Sequence, residues 1–113
     1  MDREITRGVA RALRPGGTLI MTAPNAAAMM TADNKDGVFD LVTLRETFTL
    51  DTADGRLTCT QRYYTCPELK RLLQESGFAK IWFFAVSGDG YTLERPPQIS
   101  DFEFGAVATK KFR

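Results

Sequence analysis

Histidine is absent from the 113 residues. That removes the commonest general base and the commonest metal ligand, so a Ser-His-Asp hydrolase is excluded within this chain and no metal site is expected. Cysteine is scarce: Cys59 and Cys66 are the only two, and they lack C-x-x-C spacing. Free thiols in a reducing cytoplasm are the simplest account. Charge of one sign is lacking too, the net value being +1. That balance, without a basic stripe interleaved with aromatics, gives no case for a nucleic acid or a membrane surface as partner. No apolar run approaches ~18 residues, so no membrane-spanning helix is expected. The start, Met1-Asp2-Arg3-Glu4, is charged and holds no secretory apolar core, so nothing suggests export. Internal repeats and low-complexity segments are missing as well.

What remains is an ordinary globular composition, 43% hydrophobic and 26% charged. It is enough for one domain with a small core. The stretch Arg11 to Asn25 organises it. Pro15 cannot continue a helix and disfavours the helical conformation at Arg14. Gly16 and Gly17 allow a reversal. Thr18 to Thr22 is an apolar, partly β-branched run, read as a strand over 18–23 covered on both faces. In open α/β sheets ligands sit beyond the carboxyl ends of the parallel strands, which puts Ala23 to Ala26 at the rim of a site.

Before that turn, residues 2–14 read as an amphipathic helix with Ile5, Val9, Ala12 and Leu13 on its apolar face. Arg3, Arg7, Arg11 and Arg14 read as its solvated side. Residues 25–40 show no strand pattern and suggest a loop or short helix, broken at Asp33-Asn34-Lys35-Asp36-Gly37. Residues 41–64 read as a β-hairpin turning at Asp51 to Gly55. Alternation sets Leu44, Glu46, Phe48 and Leu50 opposite Tyr63, Gln61, Cys59 and Leu57 in that order, with Val42 on the same face. The other face, with Thr47, Thr49, Thr58 and Thr60, is polar.

Thr65 with Glu68 three residues later forms a capping box for a helix over 66–76. Leu69, Leu72 and Leu73 make its apolar stripe, Gly77 closes it and Phe78 packs back. An apolar strand over 79–87 ends at Gly88-Asp89-Gly90. Trp82, Phe83 and Phe84 in it are core by default. An irregular loop over 91–101 leads to a last strand at 102–109.

Three segments taken together, ARALRPGGTLIMTAPN, RYYTCPELKRLLQESGFAKIWFF and FGAVATKK, resemble the C-terminal half of a class I S-adenosylmethionine-dependent methyltransferase. In that family a helix, a Pro-Gly-Gly turn and the fifth strand come in this order. A helix opening with T/S-x-x-E-L and closing at Gly-Phe follows, then two last strands. The resemblance implies an α/β fold with a partial Rossmann-like sheet. This chain would supply the fifth to seventh strands of the family order 3-2-1-4-5-7-6, the last antiparallel, with the hairpin inserted. It also implies S-adenosylmethionine as cofactor and a small-molecule methyl acceptor. The family's Gly-rich cofactor-binding run has no counterpart in this sequence, so no cofactor-binding residue is carried over. The chain is then expected to be a substrate-side portion, inactive alone. The alternative is a non-catalytic remnant or interaction module of the same fold.

Methyl transfer depends mostly on positioning, with a base needed only for a protonated acceptor. The substrate-side candidates are Asn25, Met29, Met30, Glu46, Tyr63 and Tyr64. Asn25 could hold a substrate or its own turn. Met29 and Met30 could line an apolar pocket or cover the core. Tyr63 or Tyr64 could reach the site or pack across strands. Glu46, a carboxylate on the apolar face of the hairpin, is either functional or satisfied by Gln61. The flank of the fifth strand would be an open edge, expected to be covered by a second copy of the chain in a homodimer.

Overall fold

The structure, a computed structural model, describes residues 2–31, 38–88 and 90–112. Helix α1 (Asp2–Ala12) leads through the Pro-Gly-Gly turn into strand β1 (Thr18–Pro24), and helix α2 (Ala26–Thr31) follows. Strands β2 (Val38–Asp40), β3 (Arg45–Thr52) and β4 (Gly55–Arg62) form a separate antiparallel sheet. Helix α3 (Cys66–Glu75) returns the chain to β5 (Phe78–Ser87), β6 (Gly90–Thr92) and β7 (Glu103–Lys110). The main sheet has the order β1-β7-β5-β6, and β7 runs antiparallel to both β1 and β5. The two strands that flank β7 therefore run in the same direction. Among the described residues no helix is long and apolar enough to cross a membrane.

One face of this sheet carries the core. Phe104, Ala106 and Ala108 of β7 cluster with Ala23 of β1, Phe78 of β5, Ala10 of α1, and Leu69 and Leu73 of α3. Phe78, Phe104, Leu69 and Leu73 are fully buried. The small side chains of Ala23, Ala106 and Ala108 leave room for both helices against the strands. The hydroxyls of Thr6 and Ser76 lie 2.7 Å apart and join α1 to the end of α3.

The other face is largely bare among the described residues, which corrects the expectation of a strand covered on both sides. Ile20 is 67% and Trp82 46% exposed. They stand in one row, because Ile20 pairs with Val107 and Val107 with Trp82. The aromatic group is thus split. Phe83 packs against the core, while the Phe84 ring lies over Gly105 on the bare side.

Element bounds depart from the sequence reading for local reasons. The first helix stops at Ala12, two residues short, because Pro15 keeps Arg14 out of helical backbone. Its buried positions are Thr6 and Ala10, and Ile5 is exposed. Strand β1 runs on through Pro24, whose missing N–H falls on the outer side of an edge strand. Strand β5 begins at Phe78, with a register shift between Ala79 and Trp82 where Lys80 takes a left-handed φ of 49°. Helix α3 ends at Glu75 and β7 spans Glu103–Lys110. Strand β6, in what reads as loop, pairs Tyr91 with Val86. The breaker at 33–37 and Asp89 lie outside the described residues.

The hairpin is part of a three-stranded sheet, because Val38–Asp40 adds to β3. Residues 41–44 form a turn and not strand, held by Asp40 Oδ1, which accepts from Val42 N at 2.8 Å and Thr43 N at 3.3 Å. Those two bonds, Val42's the larger, hold the Asp40 carboxyl below its ordinary value. The alternation register holds from Glu46–Gln61 to Leu50–Leu57. Leu44 and Tyr63 lie outside the ladder and are joined by a backbone bond, Tyr63 N to Leu44 O at 2.8 Å.

The cap of α3 is half of the expected box. The Thr65 hydroxyl accepts from Glu68 N at 3.3 Å, but the Glu68 carboxylate turns to Arg62. Thr65→Ala is expected to cost about 1 kcal/mol of stability, read as a lower urea midpoint with unchanged slope.

Candidate functional site at the carboxyl end of β1

Strand β1 delivers Asn25 to the end of the sheet, where four segments converge. Asn25 N donates to Phe102 O at 2.8 Å on the β7 side. On the other side Tyr64 forms a parallel bridge, with Tyr64 N on Pro24 O at 2.9 Å and Ala26 N on Tyr64 O at 2.8 Å. The Asn25 side chain is spent on the fold. Its Nδ2 donates to Asp101 O at 2.8 Å and Gln98 O at 3.2 Å, and its Oδ1 accepts from Ala27 N at 3.1 Å, capping α2. Of the two roles open to it, the backbone-holding one is the one observed.

Beside Asn25 lies a cavity of about 220 Å³, walled by Ala27, by Thr65, Cys66 and Pro67 at the start of α3, and by Pro97 to Ile99. Burial pushes the Cys66 thiol above its ordinary value. Cys59 and Cys66 are both free.

The loop wall is fixed by one ion pair. Arg95 grips Asp101 with two bonds, 2.8 and 2.9 Å, and Asp101 Oδ2 also accepts from Gln98 N at 2.8 Å. The Arg95 bonds foremost hold the Asp101 carboxyl down to about 2, against the opposing effect of burial.

The remaining candidates form two groups. Glu46 is 8% exposed and accepts from the Tyr63 hydroxyl at 2.9 Å. Burial, then this bond and the carboxylate's charge, push the Tyr63 phenol up to about 12. Phe39 packs edge-on against Tyr63 at 5.7 Å. Glu46 is thus held chiefly by Tyr63, whose hydroxyl also lies 3.4 Å from Gln61 Oε1. Tyr64 instead joins Asn25 at the strand end. Met29 is buried and Met30 is 41% exposed, both on α2.

Sequence reasoning missed Arg62. Its guanidinium lies 4.7 Å over the Tyr64 ring, pairs with Glu68 and donates to Thr43 O. It rivets the small sheet to α3 beside a cleft of about 600 Å³ that Tyr64 shares with Arg3, Arg71 and Glu75. Nothing periodic marks a pair six residues apart across a strand–helix junction. Only its place beside two tyrosines and a capping motif could have singled it out.

This arrangement has a counterpart among solved structures. The CcbJ methyltransferase from Streptomyces caelestis superposes with a TM-score of 0.66 over 96% of this chain, at 15% sequence identity. The chain has a methyltransferase-like fold. It spans about half the length of that structure, 52% of its chain. No protein-family model and no curated protein matches the sequence.

Proposed function

We propose that this chain is the substrate-side portion of an S-adenosylmethionine-dependent methyltransferase that acts on a small molecule in the cytoplasm. The observation that carries this reading is the superposition over nearly the whole chain on a methyltransferase. The order β1-β7-β5 with β7 antiparallel supports it, being the fifth-seventh-sixth arrangement that the sequence resemblance implies.

The described residues do not make a complete cofactor site. The cavity beside Asn25, about 220 Å³, falls below the ~300–1,000 Å³ of usual ligand pockets. The polar atoms of the Asn25 side chain are already bonded to Ala27, Gln98 and Asp101. This portion therefore contributes a wall, and the grip on the methyl donor belongs to a further segment or chain. Its own residues shape the acceptor side: Tyr64 and α2 at the strand end, and the Glu46–Tyr63 pair on the small sheet.

The test is a nuclear magnetic resonance titration of the chain with S-adenosylhomocysteine at millimolar concentration. Shifts confined to the amides of residues 23–29, 64–67 and 98–101 are expected. No shifts at all would leave the donor wholly to the further segment, whereas shifts only along the cleft of Arg3 and Arg71 would count against the methyltransferase reading. Such cleft shifts would favour the second one, a non-catalytic interaction module.

A further inference from the structure

The first turn of α3 leaves two groups unmatched that its own sequence could join. A capping box consists of two bonds. The cap hydroxyl accepts from the amide three residues on, and the glutamate at that later position accepts from the cap's own amide. Here the first bond is made, Glu68 N donating to Thr65 Oγ1 at 3.3 Å. The second is not. Thr65 N donates to no group of the described residues. Glu68 Oε1 is buried and accepts from none of them. A buried oxygen without a partner is costly and asks for a reason. The reason lies in the other oxygen. Glu68 Oε2 pairs with Arg62 at the end of β4, whose guanidinium also lies over the Tyr64 ring and donates to Thr43 O. A carboxylate turned toward β4 leaves both the donor and the acceptor of the second capping bond unused.

We propose that Glu68 is a two-position latch between the small sheet and α3. In the position observed it holds Arg62 and ties β4 to the helix. In the other it closes the capping box on Thr65 N, and β4 loses this ion pair with α3. Thr65 and Glu68 keep their places in the first turn either way, so rotation of one side chain connects the two. Neither position outweighs the other by much. The Arg62 and Glu68 side chains are 19% and 39% exposed, so solvent weakens their pair. The capping bond is one hydrogen bond to a charged acceptor, and it gives a partner to both unmatched groups. The helix dipole favours a carboxylate in the first turn in both positions. Tyr64 is held in both, because its backbone bonds to Pro24 O and Ala26 N do not involve Glu68. Release therefore loosens the small sheet, with its Glu46–Tyr63 pair, and leaves the end of β1 in place. The latch does not depend on methyl transfer.

Amide hydrogen exchange at Thr65, followed by nuclear magnetic resonance on the 113-residue chain, reads the latch. Glu68→Gln removes the charge that Arg62 holds, yet glutamine serves in a capping box. Arg62→Met removes the guanidinium and leaves the carboxylate. In both variants the Thr65 amide is expected to exchange at least about tenfold more slowly than in the parent. Exchange at Tyr64 and Leu69 should stay as it is, which separates the capping bond from a general change in stability. Glu68→Ala makes neither contact and should leave Thr65 as fast as in the parent. Salt at about 1 M, where the screening length falls to about 3 Å, should slow the Thr65 amide of the parent as well. Equal Thr65 rates in the parent, Glu68→Gln and Arg62→Met overturn the proposal. So does a parent amide that salt leaves unchanged. Glu68→Gln keeps the test decisive if Arg62→Met does not fold.

Discussion

Gly105→Ala is expected to destabilise the chain by about 3 kcal/mol or more, the upper part of the range for overpacking a closely fitted site. Gly105 lies mid-strand in β7, between Thr22 of β1 and Phe84 of β5. A Cβ built there falls inside the Phe84 ring, meeting three of its atoms. The ring cannot swing aside freely. Trp82 flanks it at 6.2 Å and Tyr91 meets it edge-on at 5.8 Å, and only 5% of Phe84 is exposed. Glycine inside a strand usually weakens it, and here the close approach of an aromatic ring is the reason for it. Urea unfolding measures the loss. The Phe84→Ala background supplies the control, since without the ring the same glycine substitution should cost little or add stability. A loss below about 1 kcal/mol in the parent would show that the ring does not depend on the gap.

Such a contact marks the limit of what the sequence discloses. Local devices were legible: the Thr65 cap, the Gly77 closure with its φ of 106°, and the strand register from Glu46–Gln61 to Leu50–Leu57. Each depends on residues a few positions apart or on strict alternation. The strand order was legible only by likeness to a family, because periodicity says nothing of which strand lies between two others. Exposure was not legible. Ile20 and Trp82 look like core residues in an apolar run, yet whether a strand is covered twice depends on what packs on the sheet. Strand β2 was hidden because three residues are too short for alternation to register. At the candidate site, the clustering of Asn25 with Tyr64 arises from a bridge between distant parts of the chain, and its loop wall from the Arg95–Asp101 pair. Neither has a local signature.

That ion pair carries the second large effect. Asp101→Asn is expected to cost about 2 kcal/mol at neutral pH, the scale of losing hydrogen bonds to a charged group. The carboxylate is 6% exposed and takes two bonds from Arg95 and one from Gln98 N. Its neighbourhood explains why the effect should spread. The carbonyls of Gln98 and Asp101 are what the Asn25 amide holds, so a loosened loop releases the wall of the small cavity and the end of β1. The sign with pH follows from the carboxyl being held down to about 2 in the folded chain, against ~4 in an unfolded one. The folded state then binds this proton less readily. The stabilisation is complete above about pH 5 and is lost as pH falls toward 2. Stability curves of the parent and Asp101→Asn should therefore run apart at neutral pH and converge in acid. Subtracting one from the other removes the other carboxylates that titrate in the same window. Parallel curves down to about pH 2 would mean that the pair does not hold the loop. A parallel titration of the variant with S-adenosylhomocysteine separates support from contact. A loop that only supports the site should blur the shifts at Asn25 to Met29 by exchange broadening, while leaving those at the start of α3 sharp.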